Sequence, residues 1–197
     1  MALDELPQFI LEHYEVHEWK HASAILKNDF PYEWNDIVEM LMQFRLRKEW
    51  ITVLGGRKSL VALAFDSFLY ARGWLEKEFS TSIIVDDTAM DSPTHQVDCY
   101  RNRIALEIEW NNKDPFYDRD LNNFRLLFDL RAVSVGVIIT RCDELQKIFQ
   151  AIGRGQSFGN STTHMSKLLP RLEGGSGGGC PILAFGIRAN LYVGDEV

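Results

Sequence analysis

The stretch Asp98-Cys99-Tyr100-Arg101-Asn102-Arg103-Ile104-Ala105-Leu106-Glu107-Ile108-Glu109 decides how this chain is read. It reads as a β-strand in which Ala105, Glu107 and Glu109 share one face and Ile104, Leu106 and Ile108 the other. Two carboxylates therefore project side by side, and Asp98 stands just upstream, where a turn can fold it back beside them. Three hard oxygen ligands in that arrangement can hold a Mg²⁺ through a couple of carboxylates while leaving positions open for water and phosphate. The same residues have a plainer reading. A Glu-x-Glu on a strand is commonly the solvated face of an antiparallel sheet, and Arg101 and Arg103 are near enough to offset the like charges. The motif alone leaves both readings open.

The flanking segments supply the scaffold. Residues 8–19 alternate in their second half, which predicts an early strand, and 20–27 reads as a short helical piece. Pro31 opens a helix in which Trp34, Ile37, Val38, Leu41 and Phe44 recur at helical spacing, as a core stripe does. Gly55-Gly56-Arg57-Lys58-Ser59 breaks the pattern before a helix over 59–72 that ends at Gly73. This string lacks the glycine spacing and the Gly-Lys-Ser/Thr ending of a nucleotide phosphate loop, which leaves a turn or a basic loop on a DNA phosphate. Residues 82–86 form a short strand, followed by a polar loop through Gln96. Beyond Glu109, Pro115 suits the first turn of a helix over 115–130, and 132–140 is apolar and β-branched, as in a strand buried on both faces. Helices are expected over 143–151 and 161–172, a flexible glycine-rich tether over 174–179, and a last buried strand over 181–187. That order implies an α/β fold with a mixed central β-sheet flanked by helices, the helix after Glu109 crossing over to the strand at Ala132.

With 197 residues and 46% hydrophobic content the chain has material for one full core, so a single domain over 1–197 is expected. It has no apolar run of about 18 residues, hence no expected membrane span. Its N-terminus has no basic region, hence no expected secretory leader. Three cysteines without metal-ligand spacing fit reduced thiols in a cytoplasm. A net charge of −7 argues against a general, sequence-blind DNA binder, yet leaves room for a nuclease whose cleft is locally basic.

The block Asp98, eight residues, Glu107-Ile108-Glu109, followed at once by Trp110-Asn111-Asn112, resembles the active site of the PD-(D/E)xK type II restriction endonucleases. The likeness is to their BglII/BstYI-like branch and, more distantly, to the BamHI-like one. It runs loosely over residues 10–190 and includes Ala71–Glu76, the strand over 133–140 and the glycine-rich run before Pro181–Ile187. The resemblance implies a restriction-endonuclease-like core and a catalytic set of Asp98, Glu107 and Glu109, with the metal held at Asp98, Glu107 and Ile108. Glu109 stands where many relatives have Lys, so no Lys of the motif can be the cationic partner. It either holds a metal-bound water or acts as general base. Further implications are a Mg²⁺ cofactor replaceable by Mn²⁺, double-stranded DNA as substrate, a homodimer reading a palindrome with a GATC-like core, and a bacterial or archaeal cytoplasm. Asn111, Asn112, Lys113 and Arg119 are the implied DNA contacts, since amides pair with adenine edges and cations with guanine or phosphate. For the two asparagines a helix N-cap and turn is the competing reading. The alternatives are a low-specificity nuclease of the same fold serving repair or mobile DNA, and a non-catalytic DNA-binding or interaction module. Asp66 and Glu76 are the early acidic residues that could add a ligand to the site.

Overall fold

The computed structural model describes residues 3, 6–53, 58–91 and 94–194, so Gly55–Arg57 of the basic string lie outside the described residues. In chain order the elements are α1 (Gln8–His13), β1 (Tyr14–Trp19), α2 (Ala22–Asp29), α3 (Pro31–Gln43), β2 (Leu46–Arg47), α4 (Lys48–Thr52) and α5 (Leu60–Tyr70). They continue with β3 (Leu75–Lys77), β4 (Ser82–Val85), β5 (Thr88–Asp91), β6 (Val97–Arg101) and β7 (Ile104–Ile108). After these come α6 (Phe116–Asp129), β8 (Val135–Arg141), α7 (Leu145–Ala151), α8 (Met165–Glu173), β9 (Ile182–Ile187) and β10 (Tyr192–Val193).

A six-stranded sheet in the order β1-β9-β8-β7-β6-β3 carries the fold. Its centre is parallel, β7 beside β8 and β8 beside β9, and its flanks are antiparallel. The expected mixed sheet is therefore found, with α6 linking the parallel neighbours β7 and β8. The two sheet faces have separate cores. Ile104, Leu106 and Ile108 of β7 join Val135, Val137 and Ile139 of β8 against the helices of the N-terminal half and α7. Ala105, Ile138, Ile182 and Ala184 face the other way, against Tyr117, Leu121 and Phe124 of α6 and Leu168 of α8. The period-2 alternation read from sequence thus fixes which side chains meet α6.

Several expectations need correction. The Asp98–Glu109 segment is a hairpin, not one strand: Asn102 and Arg103 both take positive φ (44° and 69°) in a two-residue turn. Residues 8–13 are helical, and the early strand begins only at Tyr14. The polar loop after Val85 holds β5, which pairs with β4 in a ribbon of its own. The helix expected over 161–172 starts at Met165, because Thr162 bridges to Lys113 and Thr163 N–H donates to the Asn112 carbonyl (2.8 Å). The glycine run is no tether. It is a chain of bonded turns, and a Cβ on Gly177 would meet Ile182 at 2.4 Å. Among the described residues no helix is long and apolar enough to cross a membrane.

Gly136 of β8 lets α6 approach the sheet, since a Cβ there would stand 2.5 Å from Phe124 Cδ2. Gly136→Ala should cost about 2 kcal/mol and lower the Tm by roughly 4–8 °C in calorimetry. An unchanged Tm would refute this packing of α6.

Candidate active site

The turn at Asn102-Arg103 sets the register of the hairpin, and Cys99 faces Leu106 across it. One step further, Asp98 stands across from Glu107, and its backbone N–H donates to Glu107 Oε2 (3.3 Å). Asp98 Oδ2 in turn accepts the Ile108 N–H (3.0 Å). The fold-back anticipated from sequence therefore brings two of the three carboxylates together.

The solvated-face reading fails on burial. Glu107 and Glu109 are each 1% exposed. Nor do the nearby arginines compensate Glu107: Arg101 turns to Glu33 (3.3 Å) and Asp36 (2.8 Å) of α3. Glu107 Oε1 is buried with no hydrogen-bond donor. Burial, then the charges of Asp120 and Asp98, holds the Glu107 carboxyl well above the usual range.

Glu109 is anchored one residue past β7. Its N–H donates to the Ile139 carbonyl (2.8 Å), and its own carbonyl accepts the hydroxyls of Thr140 (3.0 Å) and Thr163 (3.1 Å). Its carboxyl does not join the Asp98–Glu107 pair. It accepts from Asn112 Nδ2 (3.0 Å), approaches Arg119 Nη2 (3.5 Å) and shares a hydrogen bond with Asp120. Burial and the Asp120 charge push Glu109 up to about 9, so at neutral pH it is an acid. Asp120, fully buried on α6, is also raised by burial despite Arg119 at 2.8 Å.

Asp120 and Lys58 are the residues the sequence reading missed. Asp120 had a signal: it lies on the stripe Tyr117, Leu121, Phe124 that α6 buries, where a carboxylate is out of place. Lys58 had only the reading of its string as a turn or a basic loop on phosphate, and nothing local tied it to a motif some forty residues downstream. Its Nζ lies 2.5 Å from Asp66 Oδ2 and 3.8 Å from Asp98 Oδ1. Burial pulls the Lys58 pKa down, but the Asp66 hydrogen bond and the Asp98 charge outweigh it and keep the ammonium charged. The statement that no motif lysine serves the site holds, yet a lysine from elsewhere does reach it. Asp66 is buried by α5 and Glu76 lines the same cleft, so both early acidic residues border the site.

The cleft measures about 350 Å³, and Lys58, Asp98, Ile108, Glu109, Asn112 and Arg119 are among its walls. Of the expected DNA contacts, Lys113 is exposed, whereas Asn112 is tied to Glu109 and to Thr163, whose hydroxyl oxygen accepts the Asn112 N–H (3.1 Å). Asn111 takes φ 60° with a buried, unpartnered Oδ1, and neither asparagine caps α6, whose N-cap position is Pro115. Arg119 is held by Glu109 and Asp120 and lies over the Phe116 ring (4.2 Å). Asp118 pairs with Arg171 of α8 (2.7 Å).

A model of the restriction endonuclease BglII/BglIII family matches residues 14–187, from the first residue of β1 to the last of β9. The chain belongs to that family. No curated protein matches it. Membership in the BglII/BglIII family makes the chain a restriction endonuclease, hence a nuclease whose substrate is DNA, and makes its sheet and flanking helices a restriction-endonuclease-like core.

Enzymes of this kind generally use a divalent metal, and the donors here fit one in part. The orphaned Glu107 Oε1 and the Asp98 carboxylate are hard oxygen donors on opposed strands. Ile108 can offer only its carbonyl, which already accepts the Trp110 N–H (3.2 Å), because its side chain is in the core. Among the described residues no three His, Cys, Asp or Glu side chains form a closed cage. Such an open, two-carboxylate donor set is what Mg²⁺ accepts when water and phosphate complete its shell.

Carboxyls held above their ordinary range, Glu107 and Glu109 together with Asp66 and Asp120, make stability depend on pH. The folded chain binds more protons than the unfolded one from about pH 4.3, where free Glu titrates, up to the value of about 9 at Glu109. The stabilisation is complete below that window and falls as pH rises through it. Glu107→Gln removes one such group, so between about pH 6 and 9 the metal-free variant should lose less Tm than the parent in differential scanning fluorimetry. Equal slopes would place the pH dependence elsewhere.

Proposed function

We propose that this family member is a Mg²⁺-dependent type II endonuclease, a single catalytic domain over 1–197 acting as a homodimer on a palindrome in double-stranded DNA in a bacterial or archaeal cytoplasm. The observation that carries the proposal is the Asp98–Glu107 pair: Asp98 lines the cleft, and Glu107 is buried behind it with one oxygen that has no donor among the described residues. A protein does not hold such a group without cost, and a cation entering the cleft offsets it.

In this reading Asp98 and Glu107 hold the metal, with the Ile108 carbonyl beside them, and Mn²⁺ can replace Mg²⁺. The bound ion supplies Lewis acidity at the phosphate and lowers the pKa of a water. Asp98 is oriented by the Ile108 N–H, which leaves its other oxygen facing the cleft. Glu109 holds a proton against Asp120 and becomes a base when positive charge enters, because the burial that raised its pKa is then opposed by a cation. Water attacks the phosphorus in line, and the bond to the 3′ oxygen breaks, leaving 5′-phosphate and 3′-hydroxyl ends. Asn111, Asn112 and Lys113 follow the catalytic hairpin and read the bases of a GATC-like core, while Arg119, which lines the cleft beside Glu109, contacts phosphate.

A digest of unmethylated DNA with Mg²⁺ or Mn²⁺, run beside Glu107→Ala and a chelator control, tests this. Discrete fragments should form and should vanish in both controls, with a loss of activity of roughly 1,000-fold or more in Glu107→Ala. Light scattering should give twice the chain mass. A smear in place of fragments would support the low-specificity reading, and intact DNA would defeat the proposal.

A further inference from the structure

Two permanent cations line the cleft, Lys58 and Arg119. Arg119 is engaged with Glu109 and Asp120. Lys58 differs in that only one of its neighbours is a close partner. Its Nζ is fixed from below by Asp66, which is 2% exposed and whose other oxygen accepts from Cys99 Sγ (3.4 Å). The second carboxylate, Asp98, is 3.8 Å away, too far for a hydrogen bond. An ammonium has three donors, and of the two carboxylates that pair with the Lys58 Nζ among the described residues only Asp66 is within hydrogen-bond distance. The side chain is one-third exposed.

The motif supplies no cation of its own, since position 109 is a glutamate. Resting on the endonuclease reading above, we infer that Lys58 is a catalytic residue that reaches the active site from outside the motif. Its ammonium donates to a non-bridging oxygen of the scissile phosphate beside Asp98, and Asp66 is the positioning residue that aims it. The charge that builds on the phosphoryl oxygens during in-line attack is met by this fixed donor. Asp66 explains why the lysine stays in place: a buried carboxylate that lost its only cation would be uncompensated.

The geometry also gives Lys58 an effect opposite to its catalytic one. A positive charge 3.8 Å from Asp98 disfavours a second cation on that carboxylate, so removing it should tighten metal binding while slowing cleavage. The loss of a purely structural lysine would not separate the two effects; it would lower stability, metal affinity and rate together. The test uses the full chain, with Ca²⁺ affinity measured by calorimetry on the protein alone and single-turnover cleavage measured on a DNA that the parent cuts. Lys58→Met should cut at least about 100-fold more slowly and bind Ca²⁺ several-fold more tightly, and Lys58→Arg should recover most of the rate. Lys58→Gln keeps a donor for Asp66 without the charge and serves as the second variant should Met unfold the α5 start. A Lys58→Met or Lys58→Gln protein that cuts within about threefold of the parent overturns the inference alone, as does one that loses Ca²⁺ affinity in step with rate. A parent that leaves all DNA intact overturns the endonuclease reading and this inference with it.

Discussion

Everything at the site follows from a register. Sheet faces alternate residue by residue, so a slip of one position would send Glu107 to the opposite core. Two features prevent it. The turn at Asn102-Arg103 closes the hairpin in two residues, both with positive φ. The large apolar side chains of β7 and β8 on one face, and the small Ala105 and Gly136 that admit the aromatic face of α6 on the other, would each be misplaced by a shift. Burial of apolar surface, roughly 25 cal/mol per Å², thus drives a carboxylate against the fully buried Asp120, where it would not sit on its own account.

The electrostatic consequence is a cluster of acidic groups in a space that excludes water. Like charges there raise one another's proton affinity, and each group takes a different solution. Asp98 keeps contact with the cleft and a backbone donor. Glu109 and Asp120 share a hydrogen bond beside Arg119 and Asn112. Glu107 has the least: one weak backbone donor and one oxygen with nothing. The asymmetry separates an Asp98–Glu107 pair, joined by the Asp98 backbone N–H, from a Glu109–Asp120 pair that shares a hydrogen bond, although the sequence spaces Glu107 and Glu109 as equivalents.

That separation marks the limit of what residues in a row can say. The alternation of β7, the apolar run of β8, the helix after Pro115 and the late strand before Ile187 were all legible, because each carries its own periodicity. The pairing of Asp98 with Glu107 was legible as a possibility, since a turn between them was the only requirement. The divergence of Glu109 was not, because it depends on Asp120 arriving from α6, and on threonines of β8 and of the 162–163 segment gripping the backbone. Asp66 as a possible ligand and the Lys58 string as a possible basic loop on phosphate were legible only as options, because their meeting with Asp98 comes from packing of α5 against β6, which no local pattern encodes. β5 was lost because Thr88–Asp91 is exposed along its whole length and so shows no buried alternation.

The same burial alters the meaning of the chain's net charge. A formal −7 counts every carboxyl as ionised. With Glu109 pushed up to about 9 and Glu107 held well above the usual range by burial, the formal total overstates the negative charge of the metal-free site. These two groups stand beside the cleft that Lys58 and Arg119 line. Composition suggested a molecule that repels a polyanion. Exposed carboxylates elsewhere are screened by salt within about 8–10 Å, and the raised proton affinity of Glu107 and Glu109 leaves the site less negative than the sequence total implies. Net charge is therefore a poor argument against a nucleic-acid enzyme whose carboxylates are buried.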